Sequence, residues 1–485
     1  MAIARLGLPF TATDGQAFVR LHAPSPGAFY ILPVRSRAYR EWFFHQFYVQ
    51  YDTLPASRAF HSVLNHLEAE ANHDARNQHL AVWRRVGCRG GGLVPAQILL
   101  NLANPQCEFV EISPTGWKIA AGADALLQTS RSTFSLPAPA APSSDSNPLE
   151  TLRSCLNLSS RADWLRCLAW LLAALRPDGP FPILILHGPP GSGKSFAARI
   201  LRALIDPCAS PLTPIPSSVR DLLTVARHNW ILAFDHLSGL SPRLTDALCR
   251  LSSGLGATLR ETAGPGAEPL QQYYKRPILL TVTGRWSCPA DLAHRALTVR
   301  FPPLAPRSED SLSAVLLPAW PAILAALCSA VAAALGRVSQ IDPPSRPCPD
   351  ALAWAMAASP ALACTEDEMC RAFAPPVPEP LVEAVRDLLH HRRHFAGTAA
   401  QLLELLPPIL GGHTPTGLSR RLRSSELTLA DARIQLKFKR LGGGARIIEL
   451  SEDPCDASCK KNPQDASQIF APRSQPIEQD GLTPS

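Results

Sequence analysis

Gly188-Pro-Pro-Gly191-Ser-Gly193-Lys194-Ser195 decides the reading of this chain. The apolar run Ile183-Leu-Ile-Leu186 precedes it, and residues 196–205 after it carry apolar side chains at helical spacing. The order is therefore strand, glycine-rich turn, helix, and the residue spacing is GxxxxGK[ST] in full. Glycine at 188, 191 and 193 lets backbone N–H groups curl around phosphate oxygens, and the following helix aims its positive end at their charge. Lys194 is placed to bridge the β- and γ-phosphates, and the Ser195 hydroxyl to ligate Mg²⁺. These residues predict an α/β fold with a P-loop, parallel-sheet core whose cofactors are ATP and Mg²⁺.

A nucleotide-bound metal needs a second acid. Trp230-Ile-Leu-Ala-Phe-Asp235 is an apolar strand closing on one, 41 residues beyond Lys194. Asp235 is thus expected beside Ser195 in the metal sphere. The next residue is His236, where many ATPases carry the glutamate that orients the attacking water. A third apolar run, residues 277–282, leads to Thr283, a polar group for the γ-phosphate or water. Arg295, in Asp291-Leu-Ala-His-Arg295-Ala-Leu, is a candidate arginine finger for a neighbouring subunit. The candidate catalytic residues are therefore Lys194, Asp235, Thr283 and Arg295. Residues 260–267 predict the tip of a hairpin.

Composition narrows the rest. The chain has 485 residues, 46% hydrophobic and 18% charged, enough apolar matter for real cores. Its 13 cysteines are scattered without CxxC pairs, as in a reduced, cytoplasmic protein. The start lacks a charged segment followed by an apolar one, so no signal peptide is expected. Residues 312–335 carry no charge but include Pro318 and Pro321, which argues for a buried helix and against membrane insertion. Residues 1–135 are expected to be a mixed α+β domain, with helices over 36–51 and 55–71 and strands over 83–86, 97–102 and 109–112. His61, His66, His73 and His79 there lie too far apart for helical metal ligands. The Pro/Ser/Ala-rich stretch 136–148 is a predicted linker, 149–305 the ATPase core, 306–385 a helical connector and 451–485 a disordered acidic tail.

The net charge of +7 has one address. Between Arg386 and Arg446 stand eleven Lys/Arg against four Asp/Glu, an excess equal to that of the whole chain. Within this 386–450 module, Thr414-Pro415 caps a short helix that carries Arg420, Arg421 and Arg423. Ile434-Gln-Leu-Lys-Phe-Lys and Arg446-Ile-Ile-Glu-Leu450 flank a glycine turn as two strands. Helices followed by a hairpin predict a winged helix that binds DNA. The Arg helix would enter the major groove, with Lys437, Lys439 and Arg446 on phosphates. His390, His391 and His394 reinforce that basic face.

Taken together, the closely spaced phosphate loop and acid strand, the hairpin and the DLAHRAL segment resemble AAA+ ATPases of the superfamily 3 helicase type. The chain more closely resembles bacterial and prophage ATP-binding proteins allied to the helicase half of viral primase–helicases. FDHLSGLSPRLTDALCRLSSGLGATLRE and RPILLTVTG carry that resemblance. It implies an ATP-driven, DNA-handling protein of a mobile element that assembles as a homo-oligomeric ring. Superfamily 3 proteins favour Asn at the position of Thr283, and this hairpin tip lacks their basic residue. Two other functions share these residues: an ATP-switched DNA-binding regulator with little turnover, and a P-loop small-molecule kinase. The kinase leaves the basic module unexplained.

Overall fold

The computed structural model describes residues 2–23, 29–73, 80–90, 94–122, 125–130, 132–141, 147–259, 270–283, 288–304, 308–374, 380–406, 414–425, 429, 434–440 and 446–452. The hairpin tip, the 442–444 turn, His79 and nearly all of the acidic tail lie outside them. The chain divides into two compact units, Met1–Val377 and Pro378–Ser485.

The first unit opens with strands β1 (Gly7–Thr11), β2 (Ala17–His22) and β3 (Phe29–Pro33), an antiparallel sheet in that order. Sequence periodicity does not disclose them, because Pro9 interrupts the first. As an edge strand, β1 tolerates it. Helices α1 (Arg37–Tyr51) and α2 (Ser57–His73) follow, within about two residues of expectation. Ser36 caps α1 by accepting from the Tyr39 N–H at 3.1 Å. Phe60, Val63, Leu64 and Leu67 form one stripe of α2 and pack with Val19, Leu21, Tyr39 and Phe43.

A second antiparallel sheet holds β4 (Val86–Arg89), β5 (Gln97–Asn101), β6 (Glu108–Ser113) and β7 (Gly116–Ala121) in sequence order. β4 begins three residues later than expected, since Trp83 instead forms a lone bridge with Leu127. The described part of the proline-rich stretch is anchored at its start: Leu136 is buried and its N–H donates to Leu102 O at 2.8 Å.

Helices α3 (Pro148–Cys155) and α4 (Arg161–Ala174) lead into the mixed α/β region. There β8 (Ile183–Gly188), α5 (Lys194–Ala203), α6 (Val219–His228), β9 (Leu232–Leu237) and α7 (Pro242–Ser253) follow in turn. Strands β10 (Leu255–Leu259) and β11 (Leu270–Tyr274) pair antiparallel, as the hairpin reading requires. Then come β12 (Ile278–Thr283), α8 (Ala290–Ala293) and β13 (Ala296–Arg300). The parallel sheet has the order β13-β8-β12-β9. From β8 the chain crosses to one side for β9 and β12, then returns to the other side for β13. The crossover directions therefore diverge at the carboxyl end of β8, where α/β sheets open a ligand crevice.

α9 (Glu309–Arg337) is long and apolar enough to cross a membrane by length and composition. Its Ile323, Leu324, Leu327, Cys328 and Val331 are buried in the core shared by α3, α4 and α10 (Pro349–Ala358). Val86, Ile98, Leu100, Val110 and Ile112 of the second sheet belong to the same core. Burial pushes the Cys328 thiol up to about 12, so it is a small core hydrophobe and not a nucleophile. α11 (Glu366–Ala372) closes the unit behind a Thr365/Glu368 capping box.

The second unit comprises α12 (Pro380–Arg392), β14 (His394–Gly397), α13 (Ala399–Leu405), α14 (Pro415–Ser424), β15 (Ile434–Arg440) and β16 (Arg446–Glu452). Its antiparallel sheet runs β14-β16-β15. β14 is a strand the sequence pattern leaves unmarked.

Candidate functional site

The loop between β8 and α5 is shaped by its glycines. Gly191 and Gly193 adopt φ of 73° and 87°, a region that costs a side chain free energy. Gly188 is required for another reason: a Cβ there would run into the Phe301 carbonyl oxygen. Gly188→Ala is accordingly expected to destabilise the first unit by about 1–3 kcal/mol, read as a lower urea midpoint at constant slope. Asn157 holds the loop from outside, donating from Nδ2 to Ser192 O at 3.0 Å and Pro302 O at 2.7 Å. No side chain caps α5, so its first N–H groups face the loop.

Lys194, only 5% exposed, directs Nζ to Gly188 O at 2.9 Å, Pro189 O at 2.7 Å and Ser192 Oγ at 3.2 Å. Burial holds its ammonium below the usual lysine range, while the Asp235 charge pulls it back up. Ser195 Oγ donates to Asp235 Oδ1 at 3.0 Å. The hydroxyl and the carboxylate, 40 residues apart in sequence, thus form one hard-oxygen pair of the kind Mg²⁺ takes.

Two features of this corner differ from expectation. β9 continues to Leu237, so Asp235 lies inside the strand and not at its end. Its backbone turns left-handed at His236, with φ 57°. The side chain that reaches Asp235 from β12 is Thr281, whose hydroxyl donates a hydrogen bond to Asp235 Oδ1. The same Thr281 oxygen accepts the His236 N–H at 3.0 Å. Thr283 stands two residues on, opposite Gly188 in the parallel register, at the mouth of the loop. His236 is exposed, with Nε2 3.4 Å from Asp235 Oδ2. Thr281 was legible in principle, since strand periodicity puts it on the face of Thr283. Asn157 had no sequence signal.

Arg295 lies elsewhere. Its carbonyl accepts the Ile183 N–H at 2.8 Å, at the amino end of β8. The strand separates it from the loop by about 16 Å. Its exposed side chain borders a shallow hollow with Asp246, Asp291 and His294. Within one chain Arg295 does not meet Lys194 or Asp235.

A buried ionic network positions the two halves of the corner. Arg85, 1% exposed, donates from Nε to Asp206 Oδ1 at 3.2 Å and from its two terminal nitrogens to Asn101 O and Phe134 O, both at 2.9 Å. Asp206 Oδ2 accepts the N–H groups of Trp230 and Ile231 at 3.1 Å each. The turn after α5 and the approach to β9 are thereby tied to the second sheet.

In the second unit, Leu418 and Leu422 turn α14 inward, and Arg420 and Arg423 are exposed on it, with Arg421 half-buried. The Arg423 guanidinium lies 4.6 Å from the centre of the Phe438 ring, joining α14 to β15. β15 alternates cleanly: Ile434 and Leu436 are buried, Lys437 and Lys439 exposed. Lys439 pairs with Glu449 at 2.8 Å, and that contact holds the Glu449 carboxyl below its usual range. Arg446 is exposed at the start of β16. Thr414 caps α14 by accepting the Gly417 N–H at 3.1 Å, as Thr-Pro predicts. Among the described residues no cluster of His, Cys, Asp or Glu is arranged to hold a metal by itself.

Residues 149–347 match one family model. It is described as an actinomycete integrative conjugative element replication protein, and the match spans α3 through the parallel sheet and α9. The comparison with curated proteins returns no match. Among solved structures, the A form apo structure of the NrS-1 C terminal region shares 8% identity over 93% of this chain and 98% of that one, with a TM-score of 0.38. The apo structure of the NrS-1 C terminal region (305-718) shares 8% identity over 93% and 97%, with a TM-score of 0.39. At those scores the likeness carries no argument about this fold.

Proposed function

We propose that this chain is a P-loop ATPase acting on DNA, a helicase-like replication protein of a mobile element. The observation that carries this reading is the convergence of Lys194, Ser195 and Asp235 on a glycine loop at the carboxyl end of β8. Gly191, Gly193 and the uncapped start of α5 would receive the phosphates of ATP. Ser195 and Asp235 would hold Mg²⁺, which when bound neutralises charge on the β- and γ-phosphates. Lys194 would leave its loop carbonyls for phosphate oxygens. Thr281 fixes the Asp235 carboxylate, and Thr283 sits where a γ-phosphate or water comes within reach. The match to a replication-protein model supports a role in replicating mobile DNA, and a cytoplasmic location would suit that role.

The second unit supports the DNA part. Its helices and three-stranded antiparallel sheet suit a winged helix, with α14 for the major groove and Lys437, Lys439 and Arg446 for phosphates. Replacing Arg420, Arg421 and Arg423 together by Gln is expected to weaken duplex binding at least tenfold. The slope of log affinity against log salt should fall by up to about 2.7 units. An unchanged slope in a fluorescence-anisotropy titration would exclude α14 as the contact.

The deciding experiment is ATP turnover with and without single-stranded or forked DNA, with nucleotide-dependent sedimentation to detect ring assembly. Arg295 is a candidate finger only across such an assembly. Turnover that DNA leaves unchanged removes the motor reading. His236 favours a second reading, an ATP-switched DNA-binding regulator, because the group beside Asp235 is an imidazole and not a carboxylate. In that case His236→Glu is expected to raise turnover by on the order of tenfold or more by supplying a water-orienting base. A wild-type enzyme already as fast as His236→Glu rules the regulator out.

A further inference from the structure

The first unit holds a recess away from the phosphate loop. It has a volume of about 930 Å³, within the range of ligand sites, which run from about 300 to 1,000 Å³. Its walls come from residues 12–18, 82–90, 94–95, 176–180 and 273–276, from the end of α6 and from α10. Residues 179–180 and 276 lie just before β8 and β12, so the recess opens at the amino ends of the parallel strands. The phosphate loop lies at their carboxyl ends.

The charge in this recess is unbalanced. Five cations line it, Arg84, Arg176, Arg227, Lys275 and Arg276, against three carboxylates, Asp14, Asp178 and Asp350. Lys275 is paired with Asp178 at 2.8 Å. Arg276 donates from Nε to Ala226 O at 3.0 Å and Asn229 O at 3.1 Å, and lies 5.5 Å from the Trp230 ring centre and 5.4 Å from that of Tyr274. Arg84 and Arg227 differ. Both are half-buried, and among the described residues neither guanidinium makes a hydrogen bond or a close ion pair, although the Asp206 and Asp14 charges act on Arg84 from farther off. The contrast with Arg85, one residue along and fully paired, is direct.

These cations also repel one another. Arg84 is lowered first by burial, with Arg227 adding as a like charge, while Tyr274, Asp206 and Asp14 pull it partly back up. Arg276 is pushed down to about 10 by burial, then by Arg84, and His228 is lowered by burial and by both Arg84 and Arg227. Gathering guanidinium groups in a concave, half-buried place costs free energy that an anion returns. Aromatic surface stands beside them: Trp83 is half-buried on the wall, and Tyr273 is 66% exposed with Lys275 Nζ 5.5 Å from its ring centre. Guanidinium groups beside open aromatic faces form the chemistry that binds phosphate and base together.

We propose that this recess is a nucleotide-type binding site, with phosphate held between Arg84 and Arg227 and a base stacked on Tyr273 or Trp83. Two sources share that chemistry, a single-stranded nucleic acid and a free nucleotide. Either would bind without displacing ATP from the loop at the other end of the sheet.

The test uses the full chain carrying Arg420→Gln, Arg421→Gln and Arg423→Gln, so that the second unit contributes little. Fluorescein-labelled (dT)12 is titrated by anisotropy, with dTMP and inorganic phosphate as competitors. Adding Arg84→Gln and Arg227→Gln should weaken binding at least tenfold and lower the salt slope by about 1.4 units, two single-strand phosphate contacts. Competition by dTMP at concentrations near the oligonucleotide's own Kd assigns the site to free nucleotides, and its failure to compete assigns it to a strand. Affinity for both probes within twofold of the parent overturns the proposal. Lys194→Ala in parallel should leave (dT)12 affinity unchanged, so failure here and failure at the ATP loop are separable. If the double variant does not fold, oligonucleotide protection of wild-type arginines from phenylglyoxal decides, and unprotected Arg84 and Arg227 overturn the site.

Discussion

On the proposed reading of the loop as an ATP site, Lys194→Ala is expected to lower ATP turnover by on the order of 10²–10³-fold, the scale found when one charged donor is removed from a preorganised site. Lys194 is nearly buried and its ammonium already lies among the loop oxygens, so no other cation in the loop substitutes for it. Alanine removes a partly desolvated charge but also the donor to the Gly188 and Pro189 carbonyls, so the two effects oppose each other and only a small change in melting is expected. The check is a phosphate-release assay beside a thermal melt. Unchanged melting with lost turnover locates the defect at the nucleotide; turnover within a few-fold of wild type excludes the loop as the ATP site.

Asp206→Ala is expected to unfold the first unit at a temperature lower by on the order of 10 °C, from a loss of about 3–5 kcal/mol. The aspartate answers the buried guanidinium of Arg85 and the N–H groups of Trp230 and Ile231. Burial already pushes Arg85 down, and the Asp206 charge is the first force opposing it. Removing the carboxylate leaves a buried charge and two buried donors unmatched, which costs far more than the net worth of the pair. Replacing both partners, Arg85→Met with Asp206→Leu, should recover part of the loss. A melt of Asp206→Ala within 2 °C of wild type would contradict the network's role.

The loop and its partners were legible because their chemistry is local. Gly188 to Ser195 announces itself in eight consecutive residues, and Asp235 follows from an apolar run with an acid at a fixed place. The basic module was legible for a similar reason: caps, alternation and charge all lie within short windows, and Thr414, Leu436 and Lys437 stand where such patterns put them. What escaped is what depends on distant pairing. Asn157 reaches the loop across 35 residues, and Arg85 meets Asp206 across 121. No periodicity encodes such meetings; only the closed core brings them about. Strands β1 and β14 escaped because short edge segments carry weak alternation.

The core that α9 shares with the β4–β7 sheet has a consequence for how such a gene can change by recombination. An exchange with a foreign sequence inside residues 136–148 would separate Val110 and Ile112 from Leu327 and Val331, and Arg85 from Asp206. Both halves of the mosaic would inherit a torn core. An exchange at the boundary between Val377 and Pro378 leaves each unit its own apolar interior. The tolerated seam for inheriting a new basic unit is therefore there, more than two hundred residues beyond the most conspicuous stretch of prolines.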